Sequence, residues 1–270
     1  MSEKDWFEEW FDTRYYHILY QNRNDEEAEN FISNLSTYLK LPAGARVLDL
    51  ACGKGRHSFT LNRLGYEVLG VDLSENSIQE AKKSSNSKLS FGVHDMRERI
   101  PSTTFDAVFN LFTSFGYFTD KDDNKRVCSA ISQMLVPGGK LVIDFMNADK
   151  VIQSLIKYEA KTLNGIQFRI NRKYDGTHVV KRIQFEDDGE SYDYTERVQA
   201  LKLDDLKALL APCFEIDAIF GSFDLDPFIL PFSFARSDLA PEAIYLLSDP
   251  TVTRLNPLSI IFCAYSGVPL

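Results

Sequence analysis

The sequence predicts an α/β protein, a mostly parallel seven-stranded sheet that carries an antiparallel β insertion. Three observations predict it. Short apolar runs rich in strand formers alternate with amphipathic segments between residues 46 and 145. The turn after the first of these runs is built on Gly53 and Gly55. From about residue 158 to residue 201 the pattern changes to period-two alternation punctuated by Asn164-Gly165, Asp175-Gly176 and Asp188-Gly189, which are hairpin turn signals. Strands alternating with helices imply parallel pairing through right-handed crossovers. In such sheets ligands bind beyond the carboxyl ends of the strands.

Each element has a local reason. Residues 1–40 read as helical: Trp6, Phe7, Trp10, Phe11, Tyr15, Tyr16, Leu19 and Tyr20 make one broad aromatic face. Asn22-Arg23-Asn24-Asp25 breaks it, and Asn24 or Asp25 suits the cap of a second helix ending near Leu39. The face is either plain packing or a lid over a ligand site, and Tyr16, Tyr20 and Arg23 are the candidates for that surface. The first core strand spans 46–51, followed by a helix over 56–65 ended by Gly65. Strands follow at 67–72, 88–93 and 105–110, the last a nearly continuous apolar run suited to burial on both faces. Ser74 caps a helix over 75–84, with Glu75 favourable in its first turn. A helix over 120–136 is stopped by Pro137-Gly138-Gly139, and a strand follows at 140–145. After a short helix at 148–157 comes the meander, read as about four antiparallel strands with Ile166, Phe168, Ile170 and Tyr174 on one face. It is a structural or dimerising flap, or a substrate wall to which Arg169, Arg172, Arg182, Tyr192, Tyr194 or Arg197 contributes. A helix at 203–211 and strands at 214–221 and 258–265 return to the core, with several prolines in the 222–256 connection.

The motifs narrow the ligand. Asp49-Leu-Ala-Cys-Gly53-Lys-Gly55 is followed by Gly70-Val-Asp72-Leu-Ser74, His94-Asp95-Met96-Arg97, Phe105-Asp106-Ala-Val-Phe-Asn110-Leu111 and Leu135-Val-Pro137-Gly138-Gly139-Lys-Leu-Val-Ile-Asp144. Five blocks in this order resemble the signature motifs of class I S-adenosylmethionine (SAM) dependent methyltransferases, over roughly residues 30–147. The resemblance implies a Rossmann-like class I methyltransferase fold, with residues 1–40 as a helical lid. Residues 41–270 would form the SAM-binding domain with its inserted β subdomain at about 158–201. It also implies that the last strand runs antiparallel, and that SAM is the cofactor, with S-adenosylhomocysteine (SAH) as product.

Residue types suit the parts of that cofactor. A glycine turn leading into a helix admits a ligand close to the backbone and aims free amides at it, which points to Ala51, Cys52, Gly53 and Gly55. Asp49 can accept from an ammonium group, and Asp72 from both hydroxyls of a ribose, because a carboxylate has two acceptor oxygens. Leu73 can pack on adenine, beside the cap residue Ser74. By resemblance, Asp95 and Met96 match the residues around the adenine amino group and ring, and Asn110 and Leu111 the wall behind the methionine end. Ser114, Phe115 and Tyr117 follow the 105–110 strand and, with Asn147, are candidates for the acceptor side. Methyl transfer has no universal catalytic residue. The catalytic candidates are Tyr16, Tyr20 and His57, the last with an ordinary structural role as its alternative.

Composition bounds the rest. The 270 residues carry a net charge of −9, which argues against a nucleic-acid groove lined by clustered cations. The loop Asn110-Leu-Phe-Thr-Ser also lacks the Asn-Pro-Pro-Tyr-like tetrapeptide of methylases acting on bases and glutamine. The acidic start and the lack of a bilayer-length apolar run point to a cytoplasmic protein without a membrane anchor. Cys52, Cys128, Cys213 and Cys263 are too scattered for a metal site. The expected function is methyl transfer to a small-molecule acceptor, with a homodimer as one reading of the flap. The alternatives are an NAD-dependent oxidoreductase, which shares the acidic end of the second strand but has Ser58 at the third glycine position, and a SAM-binding protein without catalysis.

Overall fold

The computed structural model describes residues 6–21, 25–228 and 259–265. Arg23, the Asn24 cap and residues 229–256 of the proline-containing connection lie outside them. The elements run α1 (Trp6–Trp10), α2 (Arg14–Leu19), α3 (Asp25–Leu39), β1 (Arg46–Leu50), α4 (Arg56–Arg63), β2 (Glu67–Asp72), α5 (Glu75–Lys82), β3 (Leu89–Val93), β4 (Phe105–Asn110) and α6 (Lys121–Met134). They continue with β5 (Leu135–Met146), α7 (Ala148–Gln153), β6 (Tyr158–Leu163), β7 (Ile166–Tyr174), β8 (His178–Asp187), β9 (Glu190–Gln199), α8 (Leu203–Leu210), β10 (Glu215–Phe220) and β11 (Ser259–Tyr265).

A five-stranded parallel core has the order β5-β4-β1-β2-β3, and β11 and β10 extend it at the β5 edge. Of the seven strands expected, these five make the core of the sheet. The other two are an edge addition that arrives only after the insertion. The last strand departs from the expected reversal, because β11 pairs parallel with both β5 and β10. A hairpin reversal needs only a short turn, whereas a parallel return needs a crossover of a dozen or more residues. The long 221–258 connection meets that need.

Alternate residues of the buried strands feed two layers, as a pleat of period two requires. Leu48, Val108, Leu141 and Ile143 pack with Val127, Ile131 and Met134 of α6 and Leu206 and Leu210 of α8. Val47, Ala107, Phe109 and Val142 pack on the other face with Phe31, Ile32 and Leu35 of α3, Leu61 of α4 and Ile78 of α5. Pro137-Gly138-Gly139 is not the helix stop. α6 ends at Met134, and the triplet is a bulge inside β5, where pairing shifts between Phe105–Leu135 and Ala107–Lys140.

The insertion is a separate four-stranded antiparallel sheet, β6-β7-β8-β9. Asn164-Gly165 and Asp188-Gly189 form two-residue turns with positive φ at both positions. Its inner face, Ile166, Phe168, Ile170, Ile183 and Phe185, receives Trp10, Tyr15 and Leu19. Tyr174, expected on that face, is exposed, and Arg172 is buried there against Glu159. The aromatic N-terminal face thus packs on the insertion. It is also two helices rather than one: the Thr13 hydroxyl accepts from the Tyr16 amide and starts α2 anew.

Candidate functional site

A cavity of about 310 Å³ lies at the carboxyl ends of β1 to β4, roofed by α1 and α2. Its floor is the turn after β1. Ala51, Gly53 and Gly55 all have positive φ there. Left-handed backbone is strained for a residue with a Cβ, and such strain gathers at functional turns. An added Cβ on Gly53 would meet no atom within 4 Å, so the glycine leaves its space to the cavity. Gly55 has another reason. Its Cβ would stand 2.8 Å from the Phe91 ring, so it serves packing of α4 on β3 and does not line the cavity.

The second wall is the end of β2. Asp72 accepts from the Gly53 amide at 2.8 Å and the Ser74 amide at 2.9 Å. Burial pushes its carboxyl above the usual range, although these amides pull it down. Leu73, His94, Asp95 and Met96 continue this wall. Arg97 forks onto both Asp95 oxygens at 2.7–3.0 Å and reaches Asp123 of α6 at 3.0 Å. Burial raises the Asp95 carboxyl, but the Arg97 bonds outweigh it and hold the group below its ordinary value.

The third wall follows β4. Phe112 and Thr113 have positive φ, and Asp144 of β5 holds them, its carboxylate accepting from the Phe112 amide and its carbonyl from the Thr113 amide. Phe112, Ser114, Tyr117 and Phe118 then face the cavity. Gln199, at the end of β9, fixes this loop: its backbone amide donates to the Gly116 carbonyl and its side-chain amide to the Phe118 carbonyl, each at 2.9 Å.

The roof supplies Phe7, Phe11, Tyr16, His17 and Tyr20. Burial, reinforced by the Lys54 charge, pushes the His17 imidazole down to about 4, so it is neutral at pH 7. The roof is held from two sides. Asp12, between α1 and α2, accepts from the Ser74 hydroxyl and the Asn76 side-chain amide, each at 2.6 Å. On the other side Glu196 of β9 accepts from the Trp10 indole at 2.6 Å and the Tyr20 hydroxyl at 2.8 Å, and Lys181 of β8 donates to that hydroxyl at 2.5 Å.

Of the residues singled out in sequence, Ala51, Cys52, Gly53, Asp72, Leu73, Asp95, Met96 and Leu111 meet at this cavity, with Tyr16, Tyr20, His57, Ser114 and Tyr117. The others lie elsewhere. Asp49 is buried under the floor, accepting from the Ser58 hydroxyl at 2.6 Å, and burial raises its carboxyl to about 6. Asn110 is also fully buried: it donates to the Leu50 carbonyl, and its own Oδ1 has no partner among the described residues. Ser74 caps α5, Asn147 caps α7 and Phe115 belongs to the core. None of Arg169, Arg172, Arg182, Tyr192, Tyr194 and Arg197 lines the cavity. Arg182 pairs with Asp193, Arg197 with Asp175, and the two tyrosines stack with Phe185. Missed in sequence were His17, Lys54 and the anchors Asp12 and Glu196. Asp12-Thr13 inside an aromatic helical run was the available signal.

Residues 47–139 match the family described as Methyltransferase domain. These residues, about a third of the chain, carry a methyltransferase domain. A methyltransferase-family protein of Bacillus subtilis (strain 168) is 37% identical over 116 residues, 42% of this chain and 47% of that protein. The glycine/sarcosine N-methyltransferase of Aphanothece halophytica is 28% identical over 177 residues, 64% of this chain and 62% of that enzyme. The chain therefore spans about half to three fifths of these relatives. A SAM-dependent methyltransferase from Clostridium acetobutylicum ATCC 824 superposes with a TM-score of 0.68 at 21% identity, over 80% of this chain and 91% of the other, which shows a shared fold. No helix among the described residues is long and apolar enough to cross a membrane.

Proposed function

We propose that this chain transfers the methyl group of SAM to a small-molecule nucleophile in the cavity under α1 and α2. The observation that carries the reading is the joining, in one cavity, of the Gly53 turn and the Asp72 carboxylate with an aromatic roof supplied by other elements. The residues fit the cofactor. Gly53 leaves open space, Asp72 keeps acceptor capacity for ribose hydroxyls, and Leu73 and Met96 offer apolar faces to adenine beside Asp95. SAM carries a carboxylate, and among the described residues Lys54 and Arg56 are the lysine and arginine that line the cavity, so they are assigned to it. When bound, SAM supplies an activated methyl group that an acceptor lone pair displaces in line.

The chain's own residues then have to align the acceptor and exclude water. Aromatic rings and the Asp12 and Glu196 anchors perform that role as a lid. Asp49 acts from beneath, holding Ser58 and the helix that follows the turn. The Tyr20 hydroxyl is committed to Glu196 and Lys181, so Tyr20 serves by its ring. The relation to a glycine/sarcosine N-methyltransferase supports an amine among acceptor classes. The cytoplasm remains the proposed location and a single small molecule the proposed partner.

Calorimetric titration with SAM, SAH and NADH tests this reading. Binding of both adenosyl ligands without NADH is expected. Selective NADH binding would reinstate the oxidoreductase. SAM binding without methyl transfer across a panel of amines, alcohols and thiols would leave a SAM-binding protein.

A further inference from the structure

The part of the cavity not assigned to the cofactor has an unusual balance of groups. Tyr117, Phe11 and Tyr16 form a continuous arc, with neighbouring ring centroids 5.3 and 4.8 Å apart. Tyr20 adjoins Tyr16 at 4.8 Å with the Lys181 ammonium already over its ring, 4.5 Å from the centroid. Aromatic faces carry negative potential and attract cations, the more so when water is excluded. The carboxylates lining the cavity among the described residues are Asp72 and Asp95, and both belong to the β2 and β3 wall. Glu196, behind Tyr20, has Lys181 at 3.5 Å as its counter-charge. His17, beside Tyr16 with rings 5.4 Å apart, is neutral at pH 7.

We infer that this arc is a binding site for an organic ammonium group, so that the acceptor is an amine already carrying alkyl or methyl substituents. The bound ammonium releases its N–H proton to solvent, and the freed lone pair forms the new N–CH3 bond as the S–CH3 bond of SAM breaks. SAH leaves while the more substituted ammonium stays on the rings. The inference rests on the methyltransferase reading for its placement beside the cofactor. A primary ammonium keeps strong hydrogen bonds to water and needs a carboxylate to replace them. A methylated ammonium spreads its charge over its methyl groups and loses little on leaving water. Rings without a carboxylate therefore select the methylated ion. The arc also reads the charge rather than the shape alone, which separates this site from an ordinary apolar pocket. Both sides are held by the insertion, Tyr20 next to the arc through Glu196 and Lys181, and Tyr117 in the loop that Gln199 fixes. The insertion thereby sets the width of the site.

The test uses choline, its neutral carbon isostere 3,3-dimethylbutan-1-ol, and ethanolamine, each titrated into the full chain saturated with SAH and followed by ligand-observed NMR. Choline is expected to bind at least tenfold more tightly than the isostere and several-fold more tightly than ethanolamine. Tyr16→Leu should lower the choline affinity about tenfold, while the SAH isotherm shows the variant is folded. Equal binding of choline and the isostere would reduce the arc to an apolar wall. Ethanolamine binding as tightly as choline would mean that a carboxylate recognises the amine, and no choline binding would remove the site. If SAH itself fails to bind, the methyltransferase reading falls, and the same three titrations on the free chain still decide the ammonium site.

Discussion

Asp72, Asp49 and Gly55 show three different ways a residue can matter to one turn. Asp72 stands at the cavity with amide donors on both oxygens. Asp72→Ala should weaken SAM binding by about 1–3 kcal/mol, the scale of leaving polar groups without partners, and calorimetry reads this directly. Asp49 is buried, with its carboxyl raised from 3.8 to about 6. The folded chain therefore holds a proton through that interval that the unfolded chain has released. The stability this group contributes is present below about pH 4, is lost as the pH rises to about 6, and is level above that. Asp49→Asn should remove this component, on the order of 3 kcal/mol, and the difference between wild-type and variant denaturation midpoints at pH 4.5, 5.5 and 6.5 measures it. Gly55 combines a φ of 85° with a space already filled by the Phe91 ring. Gly55→Ala should cost about 2 kcal/mol or more, since left-handed strain alone is about 1–2 kcal/mol, and chemical denaturation at neutral pH would show it.

At the level of elements, the N-terminal helices are held between α5 and β9. Asp12 ties their connecting loop to Ser74 and Asn76 beside the Asp72 wall. If the helices are a lid, Asp12→Ala should speed SAH dissociation several-fold with little change in thermal stability, and stopped-flow displacement separates the two effects. Unchanged dissociation would leave α1 and α2 as packing. On the other side, Lys181 and Glu196 have side chains only 3% and 8% exposed. Removing one charge of a buried pair costs about 3–5 kcal/mol, whereas replacing both by apolar groups is often neutral. Glu196→Ala should therefore be strongly destabilising. Lys181→Met combined with Glu196→Leu should recover only part of that loss, because the Trp10 indole keeps a buried N–H without its acceptor, a cost of about 1–3 kcal/mol; chemical denaturation of both variants measures the difference. The pair thus positions Trp10 and Tyr20 more than it stabilises the fold.

For the whole molecule, a net charge of −9 predicts no salt-dependent retention of nucleic acid, because counterion release needs clustered cations. Fluorescence anisotropy with a single-stranded oligonucleotide at low and physiological salt checks this. The insertion is joined to the main sheet through shared side chains rather than strand pairing. Val179 and Val198 enter the main core, while its inner face holds Trp10 and Tyr15. It is part of the site's architecture although none of its residues lines the cavity.

What the sequence determined by itself is whatever depends on neighbours along the chain. The glycine turn, the acidic end of β2, the β4 run and the Asn-Gly and Asp-Gly hairpins all follow from backbone preferences and short-range periodicity, so the meeting of Gly53, Asp72 and Leu73 at one cavity was legible, whereas Met96 was singled out by the family resemblance alone. The parallel direction of the last strand was not, because it depends on how a long connection returns to the sheet edge. Nor was the fate of Asp49, whose partner Ser58 lies a loop away, since period two assigns a face but not what covers it. Only the tertiary structure decided that His17 faces the cavity, that Tyr20 turns its hydroxyl to Glu196 and Lys181, and that Gln199 fixes the loop after β4. Those contacts join residues about 80 to 180 positions apart, and no local propensity carries information across such a span.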